Sequence, residues 1–129
     1  MARDKNRQKP APSSVAYFER VIGNHNTVAS INEMSENVYE IERTGNRPKL
    51  RILVADIYVV GEADIFEIIT SYFNLDCILL IGFYNRTSWA AKERARKENI
   101  GLFDIREFFG AVNYVGEKMI NYELKRKDD

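Results

Sequence analysis

Two apolar runs, Leu50 to Val60 and Cys77 to Ile81, restrict the folds open to this chain more than any other feature. The first carries Ile52, Leu53, Val54, Ile57, Val59 and Val60, and a strand that is apolar at neighbouring positions has both of its faces covered. Between the runs, Ile65, Phe66, Ile68, Ile69, Tyr72 and Phe73 recur at helical intervals after Gly61. Glu62 and Asp64 stand in the first turn of that helix, where its dipole favours acids. A strand, a helix and a second strand in this order need a crossover, which is right-handed and leaves the two strands parallel.

The pattern repeats once. A loop, Gly82-Phe83-Tyr84-Asn85-Arg86-Thr87, leads into a third helix with Thr87 or Ser88 as its cap. That helix is expected to pack Trp89, Ala91 and Ala95 and to carry Lys92, Glu93, Arg94, Arg96, Lys97 and Glu98 outward, with Glu93 and Lys97 as a four-apart ion pair. Asn99 or Gly101 ends it, and Ile100, Leu102 and Phe103 form a short strand. Asp104 with Glu107 three residues on is a capping box for a further helix, whose Phe108, Phe109 and Val112 seal the core.

Upstream, Val15, Phe18, Val21 and Ile22 mark a first helix capped by Ser13 or Ser14 and closed by Gly23. Thr27 to Ile31 is a candidate strand. Val38-Tyr39-Glu40-Ile41-Glu42 alternates apolar and charged residues, and Thr44-Gly45-Asn46-Arg47-Pro48 supplies turn chemistry, so this strand and Leu50 to Val60 form a hairpin. The expected fold class is therefore α/β: a mixed central sheet with an N-terminal hairpin and a parallel strand-helix-strand-helix-strand C-terminal half. Residues 1–13, with Arg3, Lys5, Arg7 and Lys9, form a flexible basic tail, residues 14–115 a single domain, and residues 116–129 an extension ending in a charged tail.

Composition excludes more than it selects. The 129 residues suffice for one hydrophobic core, and nineteen basic residues balance nineteen acidic ones, so overall charge selects neither nucleic acid nor a membrane surface as partner. Cys77 is the lone cysteine and sits in an apolar run, which points to a buried thiol rather than a nucleophile. No apolar run spans a bilayer and no secretory signal opens the chain, so the expected location is cytoplasmic. His25 is the only histidine and has no second His or Cys to make a zinc site, which leaves it a loop residue. Walker, dinucleotide-glycine and nucleophile-elbow motifs are absent from the sequence.

The register Ser88-x-x-Ala91-x-x-x-Ala95-x-x-x-x-Ile100-x-Leu102-x-Asp104-x-x-x-Phe108 resembles the closing segment of the Mrr-like restriction endonucleases, a branch of the PD-(D/E)xK nuclease superfamily. The resemblance runs from about Tyr39 to Val112 and implies a restriction-endonuclease-like fold. The family's chemistry needs an acid on one strand and acid-x-Lys on the next, because two carboxylates hold a metal and the lysine helps activate water. Matching Tyr58 to the tyrosine that often follows the family's lysine puts Val54 in the acid position and Asp56 in the lysine position. The usual motif is absent in this alignment, and the first acid corresponds to Glu40 or Glu42.

The leading expectation is a non-catalytic nuclease-fold module that binds DNA or RNA through Tyr84, Asn85, Arg86, Lys92 and Arg96, placed where open α/β sheets bind ligands. No metal site and no cofactor belong to that reading. One alternative is a metal-dependent nuclease with rearranged carboxylates, Asp56 and Glu40 being catalytic with Mg²⁺ or Mn²⁺. Another is a protein-interaction or homo-oligomerisation subunit of a larger assembly. Asp56 invites attention under any of them, because it shares strand parity with Leu50, Ile52 and Val54 and a carboxylate on a buried face needs a partner.

Overall fold

The computed structural model describes residues 10–82 and 85–124, with the backbone alone of residues 7 and 8. The nominated Tyr84, most of the basic residues expected in the N-terminal tail, and residues 125–129 lie outside the described residues.

Both apolar runs are central strands. In chain order the elements are β1 (Arg7–Gln8), α1 (Pro12–Gly23), β2 (Val28–Ser35), β3 (Val38–Arg43), β4 (Leu50–Ile57), β5 (Val59–Val60), α2 (Glu62–Ser71), β6 (Cys77–Leu80), β7 (Arg86–Thr87), α3 (Trp89–Lys97), β8 (Gly101–Asp104), α4 (Ile105–Ala111) and α5 (Glu117–Ile120). The fold is mixed α/β. Its main sheet runs β2-β3-β4-β6-β8, with β1 added beside β4, and a second sheet joins β5 to β7. β2, β3 and β4 pair antiparallel, whereas β4, β6 and β8 are parallel, as the two crossovers require.

Alternation along β4 separates two cores. Leu50, Ile52 and Val54 face a cluster containing Phe18 and Ile22 of α1, Tyr39, Leu79, Phe103 and Phe108. Leu53, Ala55 and Ile57 face Ile65 and Ile68 of α2 together with Ala91 and Ala95 of α3. α2 and α3 fall on the same face, as the right-handed rule requires for two crossovers that advance in one direction across the sheet. α1, α4 and α5 cover the other, which gives three layers.

Several local expectations change. α1 begins at Pro12 rather than after Ser13 or Ser14, and its N-cap is Ala11; a proline in the first turn presets φ and lacks only an N–H that would have no helical partner. Arg7 and Gln8, expected in the tail, pair antiparallel with Ile57 and Asp56. β4 stops at Ile57, and exposed Tyr58 marks a bend before β5. The four-apart pair on α3 is Arg94 with Glu98 at 3.5 Å, among the described residues. Phe109 is exposed beside fully buried Phe108. The Asp104 capping box forms as read, with Asp104 Oδ1 accepting from Glu107 N at 2.8 Å and Glu107 Oε1 accepting from Asp104 N at 2.9 Å.

His25 and Cys77 keep the structural roles their contexts suggested. Thr27 N–H donates to His25 Nδ1 at 3.0 Å, so the proton sits on Nε2, which donates to the Phe109 carbonyl at 2.9 Å. Cys77 is fully buried, and burial pushes its thiol well above the ordinary range, away from the thiolate a nucleophile needs. No helix among the described residues is long and apolar enough to cross a membrane.

Candidate functional site

Parallel strands that end side by side leave a crevice at their carboxyl ends, and ligands of open α/β sheets bind there. In this chain the loop after β6 turns back over that end. Arg86 N–H donates to the Tyr58 carbonyl at 2.9 Å and Ser88 N–H to the Val60 carbonyl at 3.1 Å, which builds the short β5–β7 ribbon. Ser88 then caps α3 as expected, its Oγ accepting from Ala91 N at 3.0 Å. The result is a cleft of about 400 Å³ lined by Leu80, Asn85, Ser88, Trp89, Lys92 and, across it, Asp104 and Glu107.

Asn85 closes the loop. Its Oδ1 accepts from Gly82 N at 2.6 Å, and its Nδ2 donates to Asp56 Oδ1 at 3.0 Å and to the Ile57 carbonyl. The partner that Asp56 needs is therefore Asn85, and the amide is committed to the loop rather than offered to a ligand. Gly82 has no alternative residue here: a Cβ would fall 2.1 Å from Asp56 Oδ1 and 2.9 Å from Asn85 Oδ1.

The basic residues nominated from sequence divide into two kinds. Lys92 does not point outward; its side chain is 14% exposed, its Nζ lies 3.0 Å from Glu107 Oε2, and it stands 5.8 Å from the centre of the Phe103 ring. On a helix packed through Ala91 and Ala95, position 92 lies at the flank of the buried stripe, so its stem runs along the sheet and its ammonium reaches the cleft. Arg96 pairs with Glu123 at 2.9 Å, which holds that carboxyl below the usual range. Arg86 is exposed and has no carboxylate partner among the described residues.

Trp89 departs from its expected place as Lys92 does. It was expected in the core but is 62% exposed at the rim of the cleft, with the Arg96 guanidinium 5.3 Å from its ring centre. Two residues before Ala91 is about 200° around the helix, which turns the indole away from the sheet. That spacing was the available signal. Exposed Tyr58, whose carbonyl receives the Arg86 N–H, adds a second aromatic residue beside the arginine.

The two carboxylates proposed for metal chemistry do not meet. Glu40 pairs across the sheet with Arg51, and Asp56 lies five residues further along β4, about 17 Å at the rise of a strand. They also occupy opposite faces, since Tyr39 and Ile41 share the α1 face with Val54 while Glu40 alternates to the other and meets Lys49 at 3.8 Å. On the α1 face, fully buried apolar groups surround Val54, and the nearby polar contact is Tyr39 Oη donating to Glu19 Oε2 at 2.8 Å. Burial, reinforced by Glu19, pushes the Tyr39 phenol far above its ordinary value. Among the described residues no group of three or more His, Cys, Asp or Glu side chains is arranged to hold a metal ion.

A larger concavity, about 610 Å³, opens at the opposite end of the parallel strands and is lined by Tyr72, Phe73, Asp76, Glu98 and Asn99, among others. It contains none of the residues nominated from sequence. No family model matches the chain, and neither a curated protein nor a solved structure is found to be similar to it.

Proposed function

We propose that this chain is a non-catalytic module on a restriction-endonuclease-like scaffold that binds single-stranded DNA or RNA at the carboxyl end of its parallel strands. The exposed indole of Trp89, at the mouth of the cleft with Arg96 stacked on it and Arg86 three residues away, carries this reading. Single strands are held by aromatic platforms beside cationic groups, because every base has a stacking face and every nucleotide a phosphate. Exposed Tyr58, whose carbonyl accepts from Arg86 N–H, offers a second aromatic ring near the arginine.

The scaffold part of the proposal draws support from element order. After a first helix and three antiparallel strands, a parallel strand and its loop precede a helix whose Ala91 and Ala95 are fully buried, and a short strand ends in Asp104. The non-catalytic part draws support from the separation of Asp56 and Glu40 and from the apolar filling around Val54.

Trp89 is the only tryptophan in the chain, so its emission reports this site without interference. Titration with a short single-stranded oligonucleotide should quench it. Replacing Trp89→Leu, followed by anisotropy of a labelled strand, should weaken binding about ten-fold, the loss of one stacked base at about 1–3 kcal/mol. With Lys92 and Arg96 neutralised by Glu107 and Glu123, salt dependence should be shallow, a log–log slope of about −0.7 for one phosphate contact. Unchanged affinity in Trp89→Leu, or cleavage of the strand on adding Mg²⁺ or Mn²⁺, overturns the proposal.

A further inference from the structure

Beneath the Trp89 rim, the floor of the cleft presents an ordered set of hydrogen-bonding groups. Glu107 is the hub: one carboxylate oxygen accepts from Asp104 N at 2.9 Å and the other from Lys92 Nζ at 3.0 Å, so both of its oxygens are engaged. Its neighbours on either side are not saturated. Lys92 has three N–H groups and gives one to Glu107; the other two have no hydrogen-bond acceptor among the described residues. Asp104 spends Oδ1 on the Glu107 N–H, and its Oδ2 has no partner among the described residues. Each residue lines the cleft and is only partly buried.

From one side of the floor to the other, the site therefore offers a donor from Lys92 and acceptor lone pairs from Asp104, held in fixed relation by Glu107. A base stacked at Trp89 would enter the cleft that these residues line. Guanine presents an acceptor, O6, followed by two donors, N1–H and the 2-amino group, the complement of donor then acceptor. Each of the other bases can also turn one acceptor toward Lys92 and one donor toward Asp104: adenine N1 and its 6-amino group, cytosine N3 and its 4-amino group, thymine or uracil O4 and N3–H. Guanine alone sets a second donor beside the first, so it makes three such hydrogen bonds where the others make two. The volume of about 400 Å³ falls within the roughly 300–1,000 Å³ of sites that enclose small ligands.

We infer that the Lys92–Glu107–Asp104 floor selects guanine, with Lys92 donating to O6 and Asp104 accepting from N1–H and the 2-amino group. The inference rests on the nucleic-acid reading above and adds base identity to it. Because each oxygen of Glu107 already accepts a hydrogen bond, one from Asp104 N and one from Lys92 Nζ, Glu107 serves as a positioning residue, while Lys92 and Asp104 touch the base.

The test uses the full chain and the Trp89 signal. Short oligothymidylates carrying one central guanine, adenine, cytosine or hypoxanthine are titrated against the unaltered chain and against Asp104→Asn. Asparagine caps a helix as well as aspartate does, so α4 is kept and a matching melting temperature verifies it. It replaces the free acceptor with an NH₂ donor. The unaltered chain should bind the guanine strand about ten-fold more tightly than the adenine or cytosine strands, the scale of one well-formed bidentate contact. Hypoxanthine, which lacks the 2-amino group, should fall to the level of the adenine and cytosine strands, and Asp104→Asn should lose the preference while still binding all strands. Equal quenching by all four strands overturns guanine selection and leaves the nucleic-acid reading standing. A guanine preference unchanged in Asp104→Asn overturns the assignment to this floor. Quenching by none overturns the nucleic-acid reading and the inference with it.

Discussion

Arg43 is the buried cation whose removal should cost the fold most. It closes β3 on the α1 face and is 7% exposed, yet its partners are carbonyls rather than a carboxylate. Nε donates to Pro48 O at 2.9 Å, and Nη1 donates to Val112 O at 3.0 Å and to Tyr114 O at 2.6 Å. α4 ends at Ala111, so these last carbonyls lack helical partners, and the guanidinium ties the hairpin turn to the end of that helix. Desolvation by burial lowers the pKa of Arg43, a sign that the charge is held at some expense. Methionine would keep much of the stem's packing and relieve that expense. Pro48 and Tyr114 are exposed and their carbonyls can regain water; Val112 is fully buried and its carbonyl cannot. One orphaned buried carbonyl costs about 1–3 kcal/mol, and the lost charged hydrogen bonds add to it, for a net loss of about 3 kcal/mol. Thermal unfolding should shift down by about 12 °C, at about 4 °C per kcal/mol for a domain of this size. Urea unfolding should show a lower midpoint at unchanged slope. A loss below about 0.5 kcal/mol in Arg43→Met would refute the reasoning, since it would mean that the three carbonyls are as well served by water.

Gly82→Ala should displace Asp56 or Asn85, because its methyl would fall on the carboxylate; a loss of roughly 1–3 kcal/mol, as for overpacking, with altered Trp89 emission is expected, and a variant as stable as the parent would contradict the close approach. Asp76 gives the pH test. Burial raises its pKa above the ordinary aspartate value of 3.8, outweighing the hydrogen bond from Arg51 N. The folded state therefore holds the proton more tightly than the unfolded one, and this group's contribution is fully present below 3.8 and lost as pH rises through the raised value. Asp76→Asn keeps an acceptor for Arg51 N and should be more stable than the parent at neutral pH, with the advantage shrinking on acidification in parallel melting curves. A constant difference across pH would refute it.

The strands and crossovers were legible because covered strands announce themselves as unbroken apolar runs, and Leu50 to Ile57 and Cys77 to Leu80 need no further context. The place of the candidate site was legible, but its side-chain contacts were not. Arg86 and Asn85 stand in the loop that follows a buried parallel strand, as their sequence context implies, yet whether Asn85 serves a ligand or Asp56 depends on the return of that loop across β4, a nonlocal event. Lys92 and Trp89 were assigned to the wrong sides of α3 for a simpler reason. Residue type suggests an indole inside and an ammonium outside, whereas the phase set by Ala91 and Ala95 places the indole outside and the ammonium within. Similarly, Val38-Tyr39 reads as a half-exposed strand, but α1 covers one face and the α2–α3 layer the other, so both side chains are buried.

The small β5–β7 ribbon has one more implication. Its backbone bonds join the ends of β4 and β6, two strands packed in the core, so the backbone that carries Tyr58, Arg86 and Trp89 is tied to both strand ends. Ordering a loop or side chain during association consumes binding free energy, and a rim that is already ordered loses little. If this edge binds single strands as proposed, capture should proceed as a single concentration-dependent phase in stopped flow, with no slower rearrangement trailing it.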